Sequence, residues 1–139
     1  MSQTSIPGEV LARMRAKDGT TRIAVVGASN NPDKYGNVIV KTLVRRGYSV
    51  LPINPKEPSI EGLAAYPSVA AAPGPIHIVD FVTPPDVTRA AIERLDPASV
   101  EAVWFQDGSF DAALVERARE RFDRVVAGQC IMVVAGWAV

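Results

Sequence analysis

Short, mostly apolar runs of four to seven residues alternate along the chain with longer segments in which apolar residues recur every three or four positions. Such runs are typical of strands buried on both faces of a parallel sheet, and the longer segments are typical of amphipathic helices. The pattern predicts five strands, at residues 22–27, 49–53, 76–82, 100–105 and 124–127. It predicts four helices, at residues 6–17, 37–46, 84–95 and 110–122, and residues 130–133 close the domain.

Capping and turn residues support these bounds. Ser5 can cap the first helix, and Thr83 can cap the third, whose first turn suits the two prolines that follow. Gly47 ends the second helix after two arginines, as glycine often does at a helix C-terminus. Residues 56–75 are rich in Pro, Gly, Ala and Ser and are predicted to form a loop with one helical turn after Pro67.

Strand and helix alternate along the chain, which favours right-handed crossovers and a parallel sheet covered on both faces. The predicted fold is therefore α/β: one Rossmann-like, doubly wound parallel sheet in a three-layer αβα domain over residues 1–139, with residues 1–21 as an N-terminal helical extension. Ligands of such sheets bind at the carboxyl ends of the strands, where the strand order reverses. That rule directs attention to the segments that follow the predicted strands.

Charge and composition exclude several classes of function. The 139 residues carry 15 basic and 15 acidic side chains, whereas proteins that bind nucleic acid or anionic membranes through bulk charge are basic overall. One Cys and one His exclude an intrachain disulfide and a multi-cysteine zinc site, and they argue against a metal enzyme. The absence of a signal peptide and of a membrane-spanning apolar run predicts a cytoplasmic protein without a membrane partner.

The loop after the first strand has the residues of an anion site. Gly27 lets the backbone turn sharply, Ser29 offers a hydroxyl donor, and Gly36 and Asn37 open a helix whose free N–H groups favour an anion. These features suit a pyrophosphate, although the dinucleotide fingerprint G-x-G-x-x-G is absent. An ordinary strand-to-helix turn is the alternative interpretation.

The end of the second strand distinguishes between nucleotides. NAD-binding domains usually have an acidic residue there, which binds the ribose hydroxyls. This chain has Asn54 and then Lys56, which suit a ribose phosphate and therefore favour NADP or coenzyme A over NAD. A solvated turn lysine is the alternative.

Three further strand ends and turns supply candidate contacts. Val82, Thr83 and Pro84 form a stiff rim suited to an adenine or an extended apolar chain, and Gln106 can hydrogen-bond an amide or carbonyl group. Cys130 is either a buried, inert thiol or one that faces the ligand pocket. Asp80, inside an apolar strand, is expected to be a structural carboxylate whose hydrogen bonds are satisfied.

The chain lacks the residues of several common catalytic sites. No Ser–His–Asp set, no paired carboxylates at the predicted site edges and no metal ligand cluster can be found in the sequence. This favours a binding module without catalytic residues over a hydrolase or a metal enzyme.

Six short segments in order resemble the small stand-alone CoA-binding proteins of bacteria, which are similar to the CoA-binding domain of the succinyl-CoA synthetase alpha subunit. The segments are IAVVGAS (residues 23–29), GY with VLPINPK (47–56), YPS (66–68), VD with PP (79–85), VWFQ (103–106) and CIM (130–132). The resemblance covers residues 10–134.

The resemblance implies non-catalytic binding of coenzyme A or an acyl-CoA, with roles carried over position by position. Gly27, Ala28 and Ser29 would face the pyrophosphate, and Tyr35, Gly36 and Asn37 would complete that loop. Asn54 and Lys56 would lie near the adenosine ribose and its phosphate, and Val82, Thr83 and Pro84 near the adenine. Gln106 and Cys130 would lie toward the pantetheine end.

Two other functions stay open at this point. One is an NADP-type domain that acts in redox chemistry or as a sensor, and the other is a partner-binding protein whose ancestral pocket is empty. For a CoA-binding or an NADP-type domain, the expected partner is a small-molecule nucleotide, not a nucleic acid. The protein is expected to be a monomer or a homodimer.

Overall fold

Five parallel strands form the central sheet of the protein, whose computed structural model describes residues 6–137. The strands are β1 (Arg22–Val26), β2 (Ser49–Ile53), β5 (Ile76–Phe81), β6 (Val100–Phe105) and β7 (Val125–Ala127). Two shorter strands, β3 (Ser59–Ile60) and β4 (Leu63–Ala64), pair antiparallel as a separate hairpin.

The order of strands across the sheet is β2-β1-β5-β6-β7. The chain runs from β1 to β2 on one side and then returns to place β5 on the other side of β1. The strand order therefore reverses between β1 and β5, which is where ligands bind in open α/β sheets.

Five helices cover the two faces of the sheet: α1 (Gly8–Arg15), α2 (Tyr35–Arg45), α3 (Pro85–Arg94), α4 (Ala112–Arg121) and α5 (Ile131–Trp137). Helices α1, α2 and α5 share one hydrophobic cluster with the side chains of Val25, Ile78 and Trp104. Helices α3 and α4 share a second cluster with Ala24 and Val79 on the opposite face. The alternation of neighbouring strand residues between the two clusters confirms the predicted three-layer αβα domain.

The helix bounds differ from the prediction at several ends. Helix α2 begins at Tyr35 and α4 at Ala112, after Asp111, whose side chain accepts the Leu114 N–H. Thr83 was wrongly predicted as the cap of α3, because Pro84 occupies that position and makes no side-chain cap bond. Pro7 precedes α1, and the predicted cap Ser5 lies outside the described residues.

Two elements were not predicted. The hairpin β3–β4 lies in the stretch predicted to be a loop, and the closing segment is the helix α5, which begins directly after Cys130. Within residues 6–137, no helix combines the length and the apolar character needed to cross a membrane.

Candidate functional site

The carboxyl ends of four neighbouring strands, β2, β1, β5 and β6, lie side by side around the reversal of strand order. The Val82 N–H donates to the Val26 carbonyl at 2.9 Å, and the Gln106 N–H donates to the Phe81 carbonyl at 3.1 Å. On the other side of β1, the Gly27 N–H donates to the Ile53 carbonyl at 3.2 Å. These bonds extend the ladders one residue beyond the strands, so the predicted site segments begin at one edge of the sheet.

Two glycines fix the loop between β1 and α2. Gly27 has a φ of +100°, and a Cβ there would lie 3.1 Å from the Thr83 methyl carbon. A Cβ on Gly36 would lie 2.1 Å from the Gly27 carbonyl oxygen, which is far inside van der Waals contact. Glycine is therefore required at both positions by the protein's own packing, a reason different from the ligand approach that the sequence suggested for Gly27.

The same loop presents hydrogen-bond donors that the protein leaves unused. Among residues 6–137, the backbone N–H groups of Ala28, Ser29, Tyr35 and Gly36 make no hydrogen bond. The Ser29 hydroxyl oxygen accepts the Asn31 N–H at 3.0 Å, which leaves the hydroxyl proton available. Helix α2 has no acidic residue in its first turn, so no carboxylate of the helix itself offsets the positive end of its dipole.

The hairpin β3–β4 closes over this loop and was missed in the sequence. Its turn has positive φ at both Glu61 (52°) and Gly62 (79°), and Ile60 anchors it in the core. The Glu61 carboxylate accepts a hydrogen bond from Asn37 Nδ2 at 2.7 Å, and the Glu61 N–H donates to Asn30 Oδ1 at 3.1 Å. A two-residue turn ending in glycine between Ile60 and Leu63 was the available signal.

Asn37 is buried and holds the loop and the hairpin together. Besides Glu61, its Nδ2 group donates to the Ser29 carbonyl at 2.9 Å. Its Oδ1 atom is buried and makes no hydrogen bond within the described part of the chain. The predicted site residue is therefore beside the loop, with its amide nitrogen already engaged.

The side chains of Asn54 and Lys56 differ in whether they make hydrogen bonds within the protein. Asn54 Nδ2 donates to the Ala28 carbonyl at 2.9 Å, and its Oδ1 accepts the Lys56 N–H at 2.8 Å. The amide of Asn54 thus ties the end of β2 to the loop after β1. The Lys56 side chain is exposed, and its ammonium makes no hydrogen bond or ion pair with residues 6–137.

The rim after β5 is held by paired hydroxyl groups. Thr83 Oγ1 and Thr88 Oγ1 are 2.7 Å apart, and Thr88 Oγ1 also lies 3.1 Å from the carbonyl oxygens of Thr83 and Pro84. Because Thr88 has one proton to donate to a carbonyl, Thr83 is the donor between the hydroxyls. Val82 and Thr83 are half-buried and Pro84 is exposed, so this rim borders the open edge.

Tyr35, Gln106 and Cys130 come together from three elements. Tyr35 Oη lies 3.1 Å from Cys130 Sγ, and Gln106 Nε2 lies 3.4 Å from Tyr35 Oη and 3.5 Å from Cys130 Sγ. The Ile131 N–H donates to Gln106 Oε1 at 3.0 Å, which turns the amide nitrogen toward the sulfur. Cys130 is half-buried, which lies between the two alternatives of a buried, inert thiol and a thiol that faces the pocket.

These contacts shift two ionisation equilibria in opposite directions. Burial and then the hydrogen bond to Cys130 raise the pKa of Tyr35 to about 12, so Tyr35 stays a neutral donor. Burial alone would raise the pKa of the Cys130 thiol. The Tyr35 hydroxyl, the Gln106 amide and nearby backbone N–H groups together outweigh burial and hold that pKa below its ordinary value.

Asp80 does not have the satisfied hydrogen bonds that were expected of it. It is fully buried, and neither carboxylate oxygen has a hydrogen-bond partner in residues 6–137. Burial, followed by the charge of the Cys130 thiolate, raises the pKa of Asp80 well above its ordinary value. The prediction was wrong because polarity inside a strand does not reveal which groups face it.

The structure thus gathers the predicted residues into two adjoining regions. The loop region consists of residues 27–29 and 35–37 with Asn54, and the thiol region consists of Tyr35, Gln106 and Cys130, with Tyr35 common to both. Lys56 reaches them only through its backbone bond to Asn54. In the described residues, no group of three or more His, Cys, Asp or Glu side chains is arranged to hold a metal.

Residues 21–136 match the model of a protein family described as a CoA binding domain. The chain belongs to this CoA-binding domain family. The match confirms the family that the six sequence segments suggested, and it spans every strand of the central sheet and both regions of the site.

The chain is similar to proteins of about its own length and to part of a larger enzyme subunit. A conserved hypothetical protein from Pyrococcus furiosus has a solved structure with a TM-score of 0.77 and 39% identity, covering 81% of this chain and 97% of that one. The uncharacterized protein YneT of Bacillus subtilis is 29% identical over 112 residues, 81% of this chain and 83% of YneT.

The third relative is the alpha subunit of ADP-forming acetate–CoA ligase II from Pyrococcus furiosus, 28% identical over 123 residues. The match covers 81% of this chain but only 27% of the ligase subunit. This CoA-binding domain is therefore similar to one part of that enzyme, and the relationship supports its sequence-predicted place in the family.

Proposed function

We propose that this CoA-binding domain binds coenzyme A or an acyl-CoA without catalysing a reaction on it. The observation that carries the proposal is the set of unused donors in the loop after β1. Four backbone N–H groups and the Ser29 hydroxyl proton are free of partners in residues 6–137, beside a helix without an acidic first turn. A pyrophosphate offers the acceptors and the negative charge that such a loop lacks.

The distribution of the remaining groups suits the other parts of coenzyme A. Lys56, with its free ammonium after β2, is the proposed contact for the ribose phosphate. The rim of half-buried Val82 and Thr83 with exposed Pro84 is proposed to border the adenine. Gln106 and Cys130 are proposed to lie toward the pantetheine arm, since the Gln106 amide nitrogen already faces the half-buried thiol.

The chemistry of the nearby titratable groups supports the proposed lack of a catalytic role. The pKa of Asp80 is raised by burial, but its oxygens are not exposed at the open edge. His77, the one histidine, lies near the amino end of β5, away from the carboxyl end that borders the site. Its Nδ1 atom accepts the Arg22 N–H at 2.9 Å. Neither group is placed to transfer protons to a ligand at the carboxyl ends of the strands.

Isothermal titration with coenzyme A, dephospho-coenzyme A, NADP and NAD tests the proposal. Coenzyme A should bind most tightly, and NAD, which lacks a ribose phosphate, should bind weakest. A preference for NADP would instead support the nicotinamide-binding alternative, which Lys56 also suits. Equal affinity for NAD and coenzyme A would contradict the proposed role of the site.

A further inference from the structure

The sulfur atom of Cys130 lies within hydrogen-bond distance of two polar side chains from other elements. The Tyr35 hydroxyl comes from α2 at 3.1 Å and the Gln106 amide nitrogen from the end of β6 at 3.5 Å. The bond from the Ile131 N–H to Gln106 Oε1 fixes the amide, so the nitrogen and not the oxygen faces the sulfur. Both donors stabilise the thiolate more than the thiol.

The buried carboxyl of Asp80 is a second, independent feature of the region around Cys130. Asp80 on β5 is paired in register with Trp104 on β6, so their side chains lie on the same face of the sheet. The Trp104 indole N–H donates to the Gln129 carbonyl at 2.8 Å, next to Cys130. The carboxyl of Asp80 therefore points into the layer that holds the thiol.

The carboxyl of Asp80 has no structural role that would explain its burial. It is fully buried, and neither oxygen makes a hydrogen bond within residues 6–137. A buried polar group without a partner costs free energy, and such groups need an explanation. Proton exchange with the Cys130 thiol would explain this carboxyl. If Asp80 is protonated whenever Cys130 is a thiolate, the pair carries only one negative charge.

We propose that Cys130 is a thiol–disulfide exchange site at which the protein forms a mixed disulfide with coenzyme A. The identity of the disulfide rests on the proposed function, whereas the exchange itself rests on the groups around the sulfur. In this site Tyr35 and Gln106 stabilise the attacking thiolate. Asp80 is a positioning residue that sets the pH at which the thiolate forms.

The exchange is balanced in atoms and electrons. The Cys130 thiol loses its proton, and its sulfur attacks one sulfur of coenzyme A disulfide. The S–S bond of the reagent breaks as the bond from Sγ to sulfur forms, and the released coenzyme A thiolate takes up a proton. One disulfide is consumed and one is made, so no further oxidant is needed.

The groups around Cys130 favour disulfide exchange over acyl transfer. The mixed disulfide should also persist once it has formed. Acyl transfer needs donors at the carbonyl oxygen of the substrate, whereas the donors here converge on the sulfur. The chain has one Cys, so no second thiol of the same molecule can resolve the mixed disulfide. Release therefore requires a thiol from outside the chain.

Few other titratable groups act on this thiol. Tyr35 contacts it from α2, Asp80 on β5 interacts with it through charge, and β6 and the residue after it contribute the uncharged Trp104 and Gln106. Lys17, from the segment after α1, donates to the Ala135 carbonyl at 2.5 Å, further along α5. Arg46, after α2, lies beside Gly136, also further along α5.

Intact-mass measurement after incubation with coenzyme A disulfide tests the exchange. The native protein should gain one coenzyme A, and Cys130→Ser should gain none. Tyr35→Phe, which changes only a hydroxyl on a side chain that is 43% exposed, should react about tenfold more slowly because one donor to the thiolate is lost. Reaction only after denaturation, or an equal rate for Tyr35→Phe, would overturn the exchange site.

The dependence of the reaction rate on pH tests the part played by Asp80. Because the ionisations of Cys130 and Asp80 are coupled, the rate of the wild-type protein should change with pH over a broader range than a single ionisation gives. For Asp80→Asn, the change of rate with pH should fit a single ionisation. A purely structural role for Asp80 would change the amplitude of the profile and leave its width unchanged. Thermal melts of each variant show whether the fold is retained.

Glutathione disulfide separates this inference from the proposed function. A faster reaction with coenzyme A disulfide than with glutathione disulfide supports both. Equal rates would confirm a reactive thiol but overturn coenzyme A as its specific partner. If neither disulfide reacts with the native protein while reduced coenzyme A still binds in the titration, the exchange is wrong and the proposed function stands.

Discussion

Lys56 is the residue on which the choice between nucleotides depends. Its ammonium is exposed and has no partner in the described part of the chain, whereas the amide group of the nearby Asn54 makes hydrogen bonds that hold the loop. A phosphate on the ribose would give Lys56 a charge-assisted contact that NAD cannot offer.

Replacing Lys56 by Ala should weaken coenzyme A binding by roughly ten- to a hundredfold, since hydrogen bonds between charged groups contribute about 1–3 kcal/mol. Dephospho-coenzyme A lacks the ribose phosphate, so its affinity should hardly change. Calorimetric titration of both ligands measures the difference. Lys41→Ala, which removes the same charge from α2, is the matched control and should leave both affinities near wild type. Equal losses for the two ligands would show that Lys56 supports the loop and does not bind the phosphate.

Asp80 links the stability of the protein to pH. Burial raises its pKa in the folded state above the value in the unfolded chain, so the folded state binds the proton more tightly. The stabilising contribution is complete below the unfolded pKa, near pH 4, and is lost as pH rises through the folded pKa.

Asp80→Asn should therefore raise the melting temperature relative to wild type by an amount that grows as the pH takes values from the unfolded pKa, near 4, up to the raised folded pKa. The amide is as large as the carboxyl and carries no charge at any of these values. Paired thermal melts at several pH values measure the gap, and effects of the other titratable groups cancel between the two proteins. A gap that is constant with pH would show that folding does not raise the pKa of Asp80.

At the scale of elements, the seating of α2 against the loop after β1 depends on Gly36. A Cβ at this position would lie 2.1 Å from the Gly27 carbonyl oxygen, which is backbone and cannot turn away. Gly8, at the start of α1, has no atom within 4 Å of an added Cβ and serves as its control.

Gly36→Ala should destabilise the fold by about 1–3 kcal/mol, the usual cost of forcing extra atoms into a packed site, and should weaken coenzyme A binding as well. Gly8→Ala should be neutral or stabilise the protein by about 0.5–1 kcal/mol, because alanine restricts the unfolded chain. Denaturant unfolding measures both. Similar stabilities for the two variants would mean that α2 can shift without cost.

The hairpin β3–β4 places a negative charge beside the proposed anion loop. The Glu61 carboxylate accepts the Asn37 amide at 2.7 Å, next to the free N–H groups. Its charge should oppose a pyrophosphate there, even though its hydrogen bond helps to hold the hairpin.

Glu61→Gln keeps an acceptor oxygen for Asn37 and removes the charge, so it should tighten coenzyme A binding by about two- to tenfold. The gain should shrink as salt is added, because the repulsion is screened. Titration at low and high salt measures it. Weaker binding of coenzyme A to the variant would indicate that Glu61 contributes to the site directly.

Across the whole molecule, the longer strands and helices were predictable from the sequence. The very short elements, and the contacts between residues distant in the chain, were not. The five sheet strands follow from mostly apolar runs of four to seven residues, and four of the helices follow from segments long enough to show a helical period. Strands β3 and β4 have two residues each and show no period, and α5 is apolar on most sides, so its residues did not distinguish a helix from a strand.

The candidate site divides in the same way. Glycines, a serine and a lysine after predicted strands could be placed at one sheet edge by the topology of the fold alone. The orientation of Gln106 depends on the Ile131 N–H, and the burial of Asp80 without partners depends on residues distant in the chain. No local pattern encodes such contacts, and the roles of the individual site residues in ligand binding stay predictions.

We propose above all that coenzyme A binds through the free N–H groups of the loop after β1. Chemical-shift perturbation of backbone amides in a heteronuclear NMR titration reports on those groups directly. Coenzyme A should shift the amide signals of Ala28, Ser29, Tyr35 and Gly36 most strongly. The amides of Arg13 and Glu101, whose side chains form an ion pair at the opposite edge of the sheet, should stay in place. Saturating coenzyme A that leaves the loop signals unmoved, or moves the opposite edge instead, would contradict the account.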